Sequence, residues 1–154
     1  MALNIADLAI SSPAFGDLDP MPTRFTQYGD GIQPPVTIQG VPEGTVELAI
    51  ICHDPDAPLP WGFTHWTLYN IPADTTEIAE QEGDRAFQPG PSDKGEPGYI
   101  GPRPPAGHGR HHYYFWVYAL DRAVDGTPSR REFLDTYGDA IIEQNRTVGT
   151  YQQD

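Results

Sequence analysis

The sequence predicts a mainly β domain, two packed antiparallel sheets with peripheral helices confined to the C-terminal end. Three observations carry this. Apolar, β-branched and aromatic residues alternate with a period of two over several short runs. The runs are punctuated by turns drawn from 17 prolines and 16 glycines, which close off helix on either side. A helical apolar stripe with a clear start signal begins only at Ser129. A chain of 154 residues is long enough to bury one substantial core, and with no internal repeat it is read as a single domain spanning residues 1–154.

Taken in order, the chain opens with a short apolar segment (Leu3, Ile5, Leu8, Ile10), and SSPAFGDLDP then reads as loop. Residues 22–28 read as a strand entering the turn Tyr28-Gly29-Asp30-Gly31, and residues 36–38 as a short strand after Pro34-Pro35. Residues 45–53 form the next strand, on which Cys52 alternates with Val46, Leu48 and Ile50 and is therefore read as core. In the strand 64–71, Thr64, Trp66, Leu68 and Asn70 share one face and His65, Thr67, Tyr69 and Ile71 the other. A long acidic loop covers 72–98, with a helical turn near 77–82, and its end brings Tyr99 towards the following segment.

Residues 111–120 are apolar on both faces, His111, Tyr113, Phe115, Val117 and Ala119 on one and His112, Tyr114, Trp116, Tyr118 and Leu120 on the other. That pattern predicts a central strand. Ser129-Arg130-Arg131-Glu132 has the form of a capping box, and Phe133, Leu134, Tyr137, Ile141 and Ile142 fit a helical stripe that Gly138 can divide. Residues 148–151 return as an edge strand.

The charge balance excludes some partners. With 22 acidic residues against 9 basic, the net charge is −13 and Lys94 is the only lysine, so nucleic acid and anionic membrane surfaces are repelled. Neither an apolar run of membrane length nor a basic-then-apolar leader is present, which predicts a soluble, cytoplasmic protein without integral membrane association. A single cysteine excludes an internal disulfide. Against this acidic background, residues 97–122 reverse the sign, with Arg103, Arg110 and Arg122 against Asp121 alone, joined by His108, His111 and His112. A small anion would find such an island attractive; loop residues placed for solubility are the alternative reading.

Two segments carry candidate chemistry. In GPRPPAGHGRHHYYFWVYAL, residues 101–120, a stiff loop (Gly101, Pro102, Arg103, Pro104, Pro105) runs into the strand whose mouth presents His111 and the Tyr113 hydroxyl on one face. In CHDPDAPLPWGFTHW, residues 52–66, the run Asp54-Pro55-Asp56-Ala57-Pro58 read alone is a turn, since Asp side chains cap local amides and a residue before Pro is held out of the helical region. Paired with His65-Trp66 and with the Gly101–Pro105 loop and His111-x-Tyr113, it resembles the phosphatidylethanolamine-binding protein family, which includes Raf kinase inhibitor-like proteins, and in particular its short bacterial branch. RFTQYGDGIQPP, HWTLYNIPADT and VGTYQQ extend the resemblance over almost the whole chain.

The resemblance implies a β-sandwich with a small ligand pocket at one end. Carried over by motif position, that pocket is formed by Asp54, His65, Pro104, Pro105, His111 and Tyr113, with Asp56, Trp66, Gly101 and Arg103 in support. Imidazoles and a phenol O–H can donate to a phosphate-like oxygen, while a carboxylate bonded to a ring nitrogen orients a histidine; Asp54 takes that role and Asp56 holds the turn. The sequence departs from the family in reading His111-His112-Tyr113 where His-Arg-Tyr is common, and in carrying Arg103 where bacterial relatives often have Cys.

A binding protein for a small phosphate- or carboxylate-bearing ligand is favoured, with a regulatory protein partner implied by some relatives, no cofactor expected and a homodimer left open. The alternatives are a small hydrolase or a metal-dependent enzyme using Asp54, Asp56, His65, His111 and Tyr113. No activated serine or cysteine nucleophile and no Gly-x-Ser-x-Gly elbow supports the first, and no His-Glu-x-x-His helix or cysteine pair the second.

Overall fold

The computed structural model describes residues 5–154, so the Leu3 end of the first apolar segment lies outside the described residues. Two antiparallel sheets pack face to face. The smaller orders its strands β1 (Ala9–Ser11), β2 (Val36–Gln39) and β5 (Glu77–Ile78). The larger has the order β6 (Gln88–Pro89), β4 (Phe63–Pro72), β3 (Glu47–Asp54), β7 (His111–Leu120) and β8 (Ile141–Tyr151). Among the described residues helix is limited to the short α1 (Gly83–Ala86), to α2 (Arg130–Tyr137) and to single 3-10 turns, so the fold is mainly β as predicted, although α1 lies outside the C-terminal end to which helix was expected to be confined.

The larger sheet is covered on both sides. Its inner face, with Leu48, Ile50, Cys52, Trp66, Leu68, Tyr113, Phe115 and Val117, packs on Leu8, Ile10, Val36, Ile38 and Ile78 to form the sandwich core. Its outer face, with Ala49, Ile51, Tyr69, Tyr118 and Leu120, is covered by Phe133 and Tyr137 of α2. Two-sided burial explains why β3 is continuously buried and why β7 reads as apolar on both faces. At about 25 cal/mol per Å² of apolar surface, this burial is the main favourable term in folding.

Several local expectations are corrected. Residues 22–28 hold a 3-10 turn at Thr23–Phe25 in place of a strand, because Phe25 points into the core while Thr26 closes the turn on the Thr23 carbonyl. The helical turn of the long loop falls at Gly83–Ala86, after strand β5, and not at 77–82. Val46 is 54% exposed, since it precedes β3, whereas Leu48, Ile50 and Cys52 are fully buried. The capping box forms as expected, Ser129 Oγ accepting from the Glu132 amide and Glu132 from the Ser129 amide. The helix ends at Tyr137, however, and Ile141 and Ile142 open β8, which is a full partner of β7 and far longer than the expected edge strand.

Candidate functional site

β3 and β7 are adjacent and antiparallel, so the end of one and the start of the other lie side by side, and the Asp54 and His111 segments meet at one edge of the sandwich. The His111 Nδ1–H donates to Asp54 Oδ2 at 2.8 Å, with both side chains buried. The other Asp54 oxygen, Oδ1, accepts the Asp56 amide at 2.7 Å, which ties the carboxylate to the Pro55 turn. One aspartate thus fixes both the turn and the imidazole.

His65 arrives by a bulge. In the β3–β4 register Cys52 faces Trp66 and His53 faces Thr64, so His65 is the extra residue between them. Simple alternation places His65 opposite Trp66, away from the inner face; the bulge re-aims it. Its ring lies 5.3 Å from that of Tyr113, edge-on, and 4.8 Å from that of Phe63. Its Nδ1–H donates to the Ile100 carbonyl at 2.9 Å, and its own carbonyl accepts from the Ile100 amide at 2.9 Å. Burial lowers its pKa to about 4, so it is neutral at pH 7.

The proline loop supplies a wall. The Gln27 amide donates to the Pro102 carbonyl at 2.8 Å, Gln27 Nε2 to Gly101 O at 2.9 Å, and Tyr28 Oη to Pro104 O at 2.6 Å. Gly101 is needed for close approach, because a Cβ there would stand 2.8 Å from the Phe25 carbonyl oxygen. Between this wall and the Ala57–Leu59 turn is an open cavity of about 310 Å³ lined on its polar side by Asp54, His65, Arg103, His111, Tyr113 and Gln27. Its remaining walls are apolar, from Phe63, Leu59 and the two prolines 104 and 105.

Of the residues singled out in the sequence, Asp54, His65, Arg103, Pro104, Pro105, His111 and Tyr113 line this cup. Trp66 and Gly101 stand behind it: Trp66 Nε1 donates to Asp84 Oδ1 at 2.8 Å, and its ring meets Tyr99 edge-on. Asp56 lies outside, where its Oδ2 accepts from both the amide and the ring Nδ1 of His112. Tyr99 does not reach the cup, since its hydroxyl is bound to the Phe25 carbonyl at 2.7 Å. Arg122 sits at the far end of β7, paired with Asp139 at 2.8 Å, so the basic island is smaller than the linear sequence implies. Phe63, Leu59 and Gln27 were not foreseen as lining residues, although Leu59 and Phe63 lie in the 52–66 segment and Gln27 in RFTQYGDGIQPP.

Three polar atoms at the floor have no protein partner among the described residues: His65 Nε2, His111 Nε2 and the Tyr113 hydroxyl. Burial, with the Asp54 charge second, pushes the Tyr113 pKa far up, so its hydroxyl stays protonated. Cys52 is fully buried beneath, and burial raises its pKa well above the usual thiol value, which leaves it a thiol and no nucleophile. Among the described residues no group of three or more His, Cys, Asp and Glu side chains converges as a metal-ligand set. A larger depression, about 690 Å³, shares Leu59 and Phe63 as a partition and is lined by His53, Trp61, Arg130 and Arg131 with Asp93 and Asp135; there the charges balance and His53 Nδ1 is bonded to Thr64 Oγ1.

A two-sheet sandwich with a preformed cup between a proline loop and the ends of its central strands defines a binding-protein class, in which a rigid scaffold presents loops to a small ligand. The model of the phosphatidylethanolamine-binding protein family matches residues 11–152, and the chain belongs to that family. A UPF0098 protein of Methanothermobacter thermautotrophicus is 38% identical over 152 residues, covering 94% of this chain and 98% of that one. A UPF0098 protein of Pyrococcus horikoshii is 40% identical over 151 residues, covering 92% and 75%. The crystal structure of Escherichia coli YbcL, described as a new member of the mammalian family, superimposes with a TM-score of 0.88 at 30% identity, covering 97% of this chain and all of that one. No helix among the described residues is long and apolar enough to cross a membrane.

Proposed function

We propose that the chain is a single ligand-binding domain whose cup takes a small anion bearing a phosphate or carboxylate group, and that binding, not catalysis, is its activity. The observation that carries the reading is the Asp54–His111 bond beside the unpartnered Tyr113 hydroxyl. With Nδ1–H given to Asp54, His111 meets a ligand through Nε2; protonated there, it donates to an anion while Asp54 balances its charge. Tyr113 adds a neutral donor and Arg103 a fixed cation at the rim. The apolar walls suit a ligand with a short hydrocarbon portion behind its charged group. The family's name supports a phosphate-bearing head group, and the absence of an activated nucleophile at the floor favours binding over hydrolysis.

Calorimetry with phosphate, phosphoethanolamine and acetate at pH 6 and pH 8 tests this. Saturable binding is expected. Tyr113→Phe, which deletes one donor and keeps the ring, is expected to weaken it about tenfold, the value of one hydrogen bond to an anion. Failure of all three anions to bind, or turnover of a simple ester that depends on added metal, would overturn the proposal.

A further inference from the structure

The larger depression, of about 690 Å³, lies beyond the Leu59 and Phe63 partition and has a chemistry of its own. Arg130, Arg131, Asp93 and Asp135 line it, and no ion pair among the described residues joins any two of them. Opportunity is not lacking: Arg131 and Asp135 stand four residues apart on α2, the spacing at which a helix pairs opposite charges. Arg131 instead lies over the Trp61 ring, 4.4 Å from its centroid, and Asp135 makes no hydrogen bond among the described residues. Arg130 Nε is buried without a partner, the only such side-chain atom among the described residues. Asp93 accepts the Thr64 amide through Oδ2 at 2.8 Å, which orients the carboxylate and leaves Oδ1 unbonded. Charge of both signs is thus left for a ligand.

Beside these charges is an apolar surface. Trp61 is the most exposed large hydrophobic side chain among the described residues, at 71%, and Leu59 and Leu134 adjoin it in the same depression. The Trp61 turn is braced by His53, which bonds Thr64 Oγ1 at 2.9 Å and the Trp61 backbone. Burial, with the Arg130 charge second, lowers the His53 pKa to about 4, so at pH 6 the ring is neutral and the two arginines and two aspartates cancel. A ligand of one sign is attracted by two of these groups and repelled by the other two; a ligand carrying both signs and an apolar body meets all of them favourably. We infer that this depression is a second binding site, for a free amino acid with an apolar side chain: its carboxylate goes to the two arginines, its ammonium to the two aspartates, and its side chain against Trp61 and Leu59. The site does not depend on what the cup binds. Because Arg130 Nε is buried at rest, the guanidinium turns outward to present its fork, exchanging an unanswered donor for a bidentate contact with the carboxylate.

The test is titration at pH 6 with phenylalanine, N-acetylphenylalanine, phenylalaninamide and glycine, read by calorimetry and by the indole and imidazole 15N–1H signals. Phenylalanine is expected to bind saturably, shifting the Trp61 indole and His53 ring signals and leaving those of His65 and His111 in place. N-acetylphenylalanine lacks the ammonium and phenylalaninamide the carboxylate, and each is expected to bind about ten- to a hundredfold more weakly, the value of one charge-assisted contact. Glycine, without the apolar body, is expected to bind at least about tenfold more weakly. Arg131→Gln and Trp61→Ala alter exposed side chains, and each is expected to weaken phenylalanine binding about tenfold while thermal melting stays close to that of the parent. Equal affinity for phenylalanine and either of its blocked derivatives, or unaltered binding in both variants, would overturn the inference. So would shifts at His65 and His111 in place of His53, which would put the amino acid in the cup. Absence of saturable phenylalanine binding would overturn it too, and would leave the anion reading of the cup untouched.

Discussion

His65 and His111 look equivalent in the sequence, each opening an apolar strand, but the partner at Nδ1 makes them chemically different. The His111 Nδ1–H is given to the Asp54 carboxylate and the His65 Nδ1–H to the Ile100 carbonyl, and burial holds His65 neutral, its pKa lowered from 6.5 to about 4. A folded-state pKa depressed for a base means that the unfolded chain binds the extra proton first. Stability from keeping His65 neutral is therefore complete above pH 6.5 and is lost as the pH falls towards 4. The shift is worth on the order of 3 kcal/mol. Urea titrations at pH 4.5 and pH 7 are expected to show a smaller pH-dependent loss in His65→Phe than in the parent; an unchanged difference would show that His65 is not held neutral. The residue types of the cup were legible, since Asp54, His65, His111 and Tyr113 sit in recognisable motifs. The role of Asp54 in orienting a histidine was read too; that its partner is His111, 57 positions away, and that His65 is held by the carbonyl of residue 100 was not, because neither pairing is local in the chain.

At the scale of elements, period-two reasoning found the strands and missed what interrupts them. A bulge is one residue long and leaves no signature in an apolar pattern, so the face of His65 was assigned from an alternation that the chain breaks. A second irregularity near Asn70, at φ +58, returns Ile71 to the inner core although Tyr69 packs outward; the Glu47 carboxylate accepts from the Asn70 amide and side chain and holds it there. Ile141 and Ile142 fitted a helical stripe as well as a strand, and the competition was decided by pairing with β7. The turn before β4 depends on Gly62, at φ +68, where a Cβ would stand 2.4 Å from the Asp54 carbonyl oxygen. Gly62→Ala must displace either the Asp54 segment or Phe63 at the cup wall. It is expected to cost at least about 1–3 kcal/mol in denaturant unfolding and to weaken anion binding; wild-type stability and affinity would contradict this account of the turn.

At the scale of the molecule, the two-sheet class was legible because β3, β4 and β7 are runs of β-branched and aromatic residues bounded by turns that carry Pro or Gly. The distribution of charge was legible only along the chain. A strand of ten residues advances about 3.3 Å per residue, so Arg122 at one end of β7 is remote from His111 at the other. The net charge of −13 also acts on the whole fold through self-repulsion. Raising NaCl from 10 to 300 mM is expected to raise the melting temperature as the screening length falls below about 10 Å; a fall would mean that specific ion pairs outweigh the net repulsion. On the proposed reading, an acidic molecule takes up an anion through a small, shielded set of donors, those lining the cup between β3, β4 and the proline loop. The most direct measurement is the imidazole-region 15N–1H spectrum during titration with phosphate at pH 6. The account predicts that the ring signals of His65 and His111 shift together and saturably while those of His53 and His112, which lie outside the cup, stay in place; His65 and His111 unmoved at saturating phosphate would contradict it.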